Sequence, residues 1–100
     1  MHTVTTTDIY ECCYYLLGGC ELKVIEGRIV NGKIACEVTF TGPSINNLQI
    51  KYFQNEANVN LFSFRRAYCQ MSNYIQTAKK KIKNELKQQE NFTQLKGGEL

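Results

Sequence analysis

Residues 20–41 read CELKVIEGRIVNGKIACEVTFT, and this stretch decides the fold. Two alternating runs rich in β-branched residues flank Asn31-Gly32. Asn-Gly is typical of the two-residue type I′ turn, because both of its residues need positive φ. The stretch therefore predicts a β-hairpin, and the rest of the chain reads mostly as helix that we expect to pack over it.

The hairpin register sorts the side chains onto two faces. The inward face is nearly all apolar and collects Ile25, Gly27, Ile29, Ile34, Cys36, Val38 and Phe40. Leu22 and Val24 break this order. They stand at even-numbered positions, so a regular strand would point them to the face opposite that of Ile25. Glu26 also faces Glu37 across the strands, where like charges repel. A β-bulge near Glu26-Gly27 would repair both defects, unless another element covers the second face near Leu22.

A first helix is predicted to begin after Asp8, which suits the N-cap position, with Glu11 three residues on to complete a capping box. The apolar residues that follow keep helical spacing: Ile9, Cys12, Cys13, Leu16 and Leu17. Gly18-Gly19 ends the helix, since glycine readily takes the left-handed cap conformation. Three tyrosines lie beside or opposite this stripe: Tyr10, Tyr14 and Tyr15. They indicate either contacts with neighbouring elements or a partner or dimer surface.

Two more helices follow the hairpin. Gly42-Pro43-Ser44 ends the second strand and starts a short helix with Ser44 as its N-cap. Asn60 then caps the longest element, in which apolar residues recur at intervals of three and four: Leu61, Phe64, Tyr68, Met71, Ile75, Ala78 and Ile82. In a chain this short, such a heptad seam is more often the core face of one long helix than a coiled coil.

We expect one compact α+β domain over residues 8–78, preceded by a flexible arm at residues 1–7. A basic helical extension at residues 79–89 and a disordered tail at residues 90–100 would follow. The predicted order is helix, β-hairpin, helix and long C-terminal helix. A two-stranded sheet leaves two unpaired edges. Either helices close over it, or two copies pair their hairpins into a four-stranded sheet across a homodimer.

Composition favours a cytoplasmic protein with reduced thiols. The five cysteines are odd in number and lack C-x-x-C spacing, which argues against a disulfide framework. No apolar run approaches the roughly 18 residues of a membrane helix. Residues 1–8 have neither the basic start nor the apolar core of a signal peptide. We therefore expect a cytoplasmic location and no membrane partner.

The formal net charge of +3 is concentrated in one segment. Residues 1–78 are neutral overall and residues 88–100 carry −1, whereas residues 79–87 hold five lysines and one glutamate, a net of +4. Such a segment predicts weak, salt-sensitive and non-specific binding of DNA or RNA through phosphates. The candidate nucleic-acid-binding residues are Lys79, Lys80, Lys81, Lys83 and Lys87, with Arg65 and Arg66 earlier on the same helix. The alternative is a solvated helix end, where cations complement the macrodipole.

Catalytic and metal-binding patterns are weak in this sequence. His2 is the sole histidine and lies in the predicted arm, so no Cys-His or Ser-His pair can be placed. The cysteines are too scattered for a zinc site and read as small buried hydrophobes. Glu26 and Glu37 are the remaining acid-base candidates, but on an open sheet face such a pair is more typical of solvated side chains. We therefore predict a non-enzymatic protein without cofactor or metal.

Five short motifs mark boundaries of the predicted elements: Thr7-Asp8-Ile9-Tyr10, Leu16-Leu17-Gly18, Val38-Thr39-Phe40, Tyr52-Phe53-Gln54-Asn55 and Val59-Asn60. Together they resemble an uncharacterised family of short prokaryotic and phage domains, whose members open with a Thr-x-Asp-hydrophobic-Tyr helix. The resemblance covers residues 6–78 and implies this layout and a microbial or phage origin. It carries over no functional residues, because the motifs are structural boundaries.

These observations predict a small accessory protein that binds nucleic acid through its basic C-terminal helix. The alternative is a phage-type interaction module that docks on and modulates a larger host or phage protein. The tyrosines, a possible open sheet edge and the heptad seam would supply its surfaces.

Overall fold

A computed structural model describes the backbone of residues 2–98 and the side chains of residues 2–87. The elements in chain order are β1 (His2–Thr6), α1 (Ile9–Leu17), β2 (Glu21–Val30), β3 (Lys33–Gly42), α2 (Ile45–Phe53) and α3 (Leu61–Gly98). The three strands form one antiparallel sheet in the order β1-β3-β2. The predicted α+β class with a long C-terminal helix is confirmed. None of the helices in the described part of the chain is long and apolar enough to cross a membrane.

The turn between β2 and β3 has the geometry that its sequence predicts. Asn31 and Gly32 have φ angles of 52° and 77°, so both occupy the left-handed region of a type I′ turn. The strands follow the simple register, and Glu26 lies opposite Glu37. Arg28 Nη2 lies 2.5 Å from Glu37 Oε1. This ion pair supplies the positive charge that lets the two glutamates stay opposite each other.

The bulge in β2 lies nearer the start of the strand than we predicted. The register shifts between Leu22 and Val24, so the extra residue is Lys23 and not one of Glu26-Gly27. Because of this shift, Leu22 shares the half-buried face with Ile25, although their positions in the sequence have opposite parity. The parity conflict therefore did indicate a bulge, whereas the repulsion between the two glutamates is relieved by an ion pair instead.

His2–Thr6 forms strand β1, which corrects the prediction of a flexible arm at residues 1–7. Val4 pairs with Phe40 and is buried, and the hydroxyl groups of Thr5 and Thr39 share a 2.8 Å hydrogen bond. Threonine and valine favour strands, but five residues are too few to show a clear period. β1 covers one edge of β3, so the hairpin is not an isolated two-stranded sheet.

The outer edge of β2 is the place where a second copy could extend the sheet. Within the described residues, β2 pairs with β3 alone. Since each copy contributes three strands, a sheet continued across two copies through β2 would have six strands and not the four that we expected. Self-association itself stays a prediction.

Helix α1 lies between the sheet and α3 and forms the middle of the core. Cys12, Cys13 and Tyr15 are fully buried, and the Tyr15 ring meets Phe40 of β3 edge-on, with centroids 5.7 Å apart. Met71 of α3 belongs to the same buried cluster. The core therefore consists of one layer of helix held between a sheet face and a second helix.

Helix α3 begins where the sequence predicts, because Asn60 Oδ1 accepts hydrogen bonds from the backbone N–H groups of Phe62 and Ser63. Its core face is made of residues that are buried or half-buried: Phe64, Ala67, Met71, Ile75, Ala78, Ile82 and Leu86. Their spacing suits a straight α-helix packed on one body. The predicted heptad seam is therefore corrected at Leu61 and Tyr68, which are exposed.

Helix α3 also runs further than we expected. It continues to Gly98, past the predicted end near residue 89 and into the segment predicted to be disordered, residues 90–100. Within that segment the backbone is described to residue 98, and the side chains lie outside the described part of the chain.

One close contact docks the basic part of α3 on the hairpin. A Cβ atom added to Gly27 would lie 1.9 Å from Cδ1 and 3.2 Å from Cγ1 of Ile82. The helix therefore approaches β2 over bare glycine backbone. The basic helical extension that we predicted at residues 79–89 therefore packs on the sheet through Ile82.

Gly27→Ala is expected to destabilise the fold by no more than about 1 kcal/mol, because the added methyl group overlaps the Cδ1 end of Ile82, a flexible side chain that can turn aside. Ile82→Ala removes the overlapping atoms, so the double variant should lose much less stability than the sum of the two single variants. Urea unfolding of the four proteins measures this coupling energy. Additive losses would show that α3 does not pack on Gly27.

Candidate functional site

One flank of α3 carries positive charge in two groups, one near its start and one after residue 78. Helical spacing places six exposed cations on the same side, and we call this set the basic flank: Arg65, Arg66, Lys79, Lys80, Lys83 and Lys87. From Arg65 to Lys87 the helix rises roughly 33 Å, and no carboxylate lies on this flank. Lys81, which we also predicted to bind nucleic acid, falls on another side of the helix, near that of Glu85.

The hairpin tip and α3 enclose a groove beside the basic flank, which we call the lysine groove. Its volume is about 690 Å³. Apolar side chains of Ile29, Ile34 and Leu86 line it together with four lysines: Lys33, Lys79, Lys80 and Lys83. Lys33 was missed by the sequence analysis, because only the contact between hairpin and helix brings it beside the lysines of α3.

The positive charge at this groove is not neutralised by nearby carboxylates. Among the side chains of residues 2–87, ion pairs join Lys23 to Glu21 and Arg28 to Glu37, and both pairs lie on the hairpin strands. No aspartate or glutamate lines the lysine groove. The groove and the basic flank therefore keep a positive potential that attracts anions.

A second exposed surface lies where α1 meets the start of α3. We call it the aromatic patch, and it comprises Tyr10, Leu61, Phe62, Phe64 and Tyr68. The Tyr10 ring stacks with Phe64 and Tyr68 at centroid distances of 6.0 and 5.9 Å. Tyr10 is 55% exposed and Phe62 is 69% exposed. The patch borders a depression of about 460 Å³ that Arg65 of the basic flank also lines.

Of the three tyrosines that we assigned to a partner or dimer surface, Tyr10 alone is exposed. Tyr14 and Tyr15 are buried, which corrects their assignment. Tyr14 lies against Tyr52 of α2, with ring centroids 6.0 Å apart, and Tyr15 lies against Phe40. We predicted one buried face for α1, but the helix is enclosed by the sheet, α2 and α3, so most of its sides are core.

Polar side chains around α1 form a network that holds the fold together. Glu11 is buried and accepts hydrogen bonds from Thr6 Oγ1 at 2.8 Å and from the Tyr15 hydroxyl group. Thr6 Oγ1 accepts from the backbone N–H of Asp8 at 3.1 Å, the bond that we expected Glu11 to make in a capping box. Asp8 caps α1 through Oδ1, as predicted, and its Oδ2 accepts a 2.6 Å hydrogen bond from the Tyr52 hydroxyl group. Burial, and the hydrogen bonds to these carboxylates, raise the pKa of Tyr15 and Tyr52.

The two adjacent cysteines of α1 are held as thiols. All five cysteines are free, and Cys12 and Cys13 are completely buried. Burial raises the pKa of Cys12 to about 12 and the pKa of Cys13 to about 11. A thiol that stays protonated at neutral pH is a poor nucleophile. Among the described residues, no three histidine, cysteine or carboxylate side chains are placed to hold a metal ion.

The raised thiol pKa values predict that stability falls in base. In the folded protein Cys12 and Cys13 stay protonated, whereas in the unfolded chain they ionise near their ordinary pKa of 9.0. Their contribution is therefore fully present below about pH 9 and is lost as the pH rises toward 12. Urea unfolding between about pH 8.5 and 10 should show a free energy of unfolding that falls by up to ~1.4 kcal/mol per pH unit for each thiol.

Cys12→Ala is expected to reduce this pH dependence, because it removes one of the buried groups whose pKa is raised. Cys69→Ala serves as the matched control, since Cys69 is exposed. An equal slope in the Cys12→Ala variant and the unaltered protein would contradict the assignment.

Comparisons with protein-family models, with curated proteins and with solved structures found no match to this chain. The resemblance to short prokaryotic and phage domains therefore stays a prediction, and we infer the function from the side chains alone.

Proposed function

We propose that this protein is a small non-enzymatic accessory protein that binds DNA or RNA by holding the phosphate backbone against the basic flank of α3. The observation that carries the proposal is that exposed cations between Arg65 and Lys87, in two groups, share one side of the helix with no carboxylate on that side. Lys33 of the hairpin adds to this charge at the lysine groove.

The chemistry of these side chains sets the kind of binding that we expect. Lysine and arginine attract phosphates and displace the counterions condensed on the nucleic acid, so affinity falls steeply with salt concentration. Phosphate contacts position the backbone but do not read the edges of the bases. The protein should therefore bind weakly, with little sequence preference, and only at low to moderate salt.

The position of the lysines within α3 disfavours the simplest alternative, which is that they stabilise the helix end. Cations stabilise a helix through the macrodipole only near its last turn. Because α3 continues to Gly98, Lys79 and Lys87 lie in the helix interior, at least about three turns before the end. Helix stabilisation alone does not account for this cluster.

Lys80→Glu/Lys83→Glu is expected to lower affinity for a labelled oligonucleotide by about tenfold or more at low salt, because it removes two phosphate contacts and adds two repelling charges. Lys23→Glu/Lys51→Glu is the matched control. Both double variants lower the net charge by four, from +3 to −1, but the control places its changes on β2 and α2 and not on α3. Fluorescence anisotropy over a salt series measures the affinities and the salt slope.

Two results would overturn the proposal. One is no binding of DNA or RNA by the unaltered protein at low salt. The other is an equal loss of affinity in both double variants, which would show that only the overall charge matters and that the flank is not a site.

A protein-interaction module is the second candidate function, and the open edge of β2 favours it. Within the described residues β2 pairs on one side only, and it carries the exposed apolar side chains of Val24, Ile29 and Val30. An extended segment of a partner can add a strand to such an edge. The partner would be a larger protein, and the contact would not depend on the lysines of α3.

The Lys80→Glu/Lys83→Glu variant separates this candidate from nucleic-acid binding. If the protein is an interaction module, the variant should still retain a single stoichiometric protein partner after nuclease treatment and a high-salt wash. Loss of every co-purifying protein under those conditions would contradict the interaction module. Mass spectrometry of the retained complex gives the readout.

We also propose a cytoplasmic location. The five free cysteines support it, because reduced thiols are typical of proteins in reducing compartments.

A further inference from the structure

We infer that the aromatic patch is a stacking platform for unpaired bases, so that the preferred ligand of this protein is single-stranded nucleic acid. The inference rests on the proposed function and deepens it by naming the form of nucleic acid that is bound. It has its own observation, because Phe62 of the patch projects from the same flank of α3 as the cations and is chemically different from them.

The patch offers aromatic surface that is both exposed and fixed. Tyr10 is held on α1 while Phe64 and Tyr68 of α3 stack with it, so the three rings form one rigid group. Phe62 stands next to them with 69% of its surface exposed. Bases of a duplex are stacked on each other and present only their edges, whereas an unpaired base can place its face on such rings.

Charge at the patch favours a polyanion as the occupant. Arg65 lines the depression beside the rings, Arg66 follows it on the basic flank, and no carboxylate lines the same depression. A second copy of this chain seated on the patch would bring two copies of Arg65 together with no carboxylate there to meet them. A nucleic-acid strand instead brings phosphates for the arginine and bases for the rings.

One residue of the aromatic patch, Phe62, lies on the same side of α3 as Lys80 of the lysine groove. Phe62 and Lys80 are separated by five full helical turns, so they project from the same side of the helix. The rise between them is roughly 27 Å, which corresponds to about eight nucleotides of stacked strand. A single strand laid along this flank would reach the rings at one end and the lysines at the other.

Phe62→Ala tests the platform, because Phe62 is mostly exposed and its loss should leave the fold intact. The expected result is about a tenfold loss of affinity for an oligothymidine of about 12 nucleotides and no change for a duplex of the same length. Phe53→Ala is the matched control, since Phe53 is 66% exposed on α2 and lies outside the patch. Circular dichroism shows whether each variant keeps its helices.

Phe62→Trp provides a direct readout, because the chain contains no tryptophan. The new ring keeps the ability to stack, so affinity for the oligothymidine should be retained. Its fluorescence should be quenched by the single strand and not by the duplex. Quenching reports contact at this position and does not depend on the size of the affinity change.

The outcomes separate the platform from the proposed function. If Lys80→Glu/Lys83→Glu abolishes binding but Phe62→Ala has no effect, or weakens single strand and duplex equally, the platform is wrong and the basic flank stands. If the unaltered protein binds neither ligand, both are wrong. If Phe62→Ala converts a dimer into a monomer in light scattering and leaves the affinity for single strands unchanged, the patch is a contact between two copies.

Discussion

Burial of the Glu11 carboxyl group is the constraint on which the rest of the structure depends. A carboxyl group in the core is costly unless donors satisfy its oxygens. The donors here are the hydroxyl groups of Thr6, at the end of β1, and Tyr15, one turn further along α1. The Thr6 hydroxyl group also accepts a hydrogen bond from the backbone N–H of Asp8. It therefore joins the end of β1 both to the N-cap of α1 and to Glu11 within α1. This junction places β1 against β3 and gives the sheet its third strand.

Tyr15 connects the buried carboxyl group of Glu11 to the hydrophobic core. Its hydroxyl group binds Glu11 and its ring packs on Phe40, so one residue joins the polar network to the sheet. α1 thereby becomes the middle layer, and α3 closes over it through Met71. Since Ile82 continues the same face of α3 onto Gly27, the helix uses one side for packing along most of its described length. The remaining sides of α3 are left to the solvent.

The exposed flank of α3 combines two chemistries that suit one kind of ligand. Cations at both ends of the flank can attract phosphates, and the rings beside Arg65 can stack with bases. The lysine groove is built by two elements, with Lys33 from the hairpin and Lys79, Lys80 and Lys83 from α3. A ligand that is long, flexible and negatively charged can use both ends at once. This is why we favour a single strand of nucleic acid over a compact anion or a second copy of the chain.

The sequence by itself determined the features that depend on neighbouring residues. Asn31-Gly32 is a type I′ turn because both residues tolerate positive φ. Asp8 and Asn60 start helices because their side chains accept hydrogen bonds from backbone N–H groups of the first turn. The concentration of lysines after residue 78 could likewise be read directly from the chain. These signals are local, so no tertiary contact was needed to find them.

Only the tertiary structure decided which surfaces those elements bury. Tyr14 and Tyr15 look like surplus aromatic surface in the sequence, but they are core because the sheet and two helices enclose α1. Strand β1 forms because β3 offers it an edge and Glu11 needs the hydroxyl group of Thr6. Lys33 joins the lysines of α3, and Tyr10 joins Phe64, because residues distant in the chain meet when α3 packs across the hairpin and α1. Such pairings follow from packing between elements, and local sequence does not encode them.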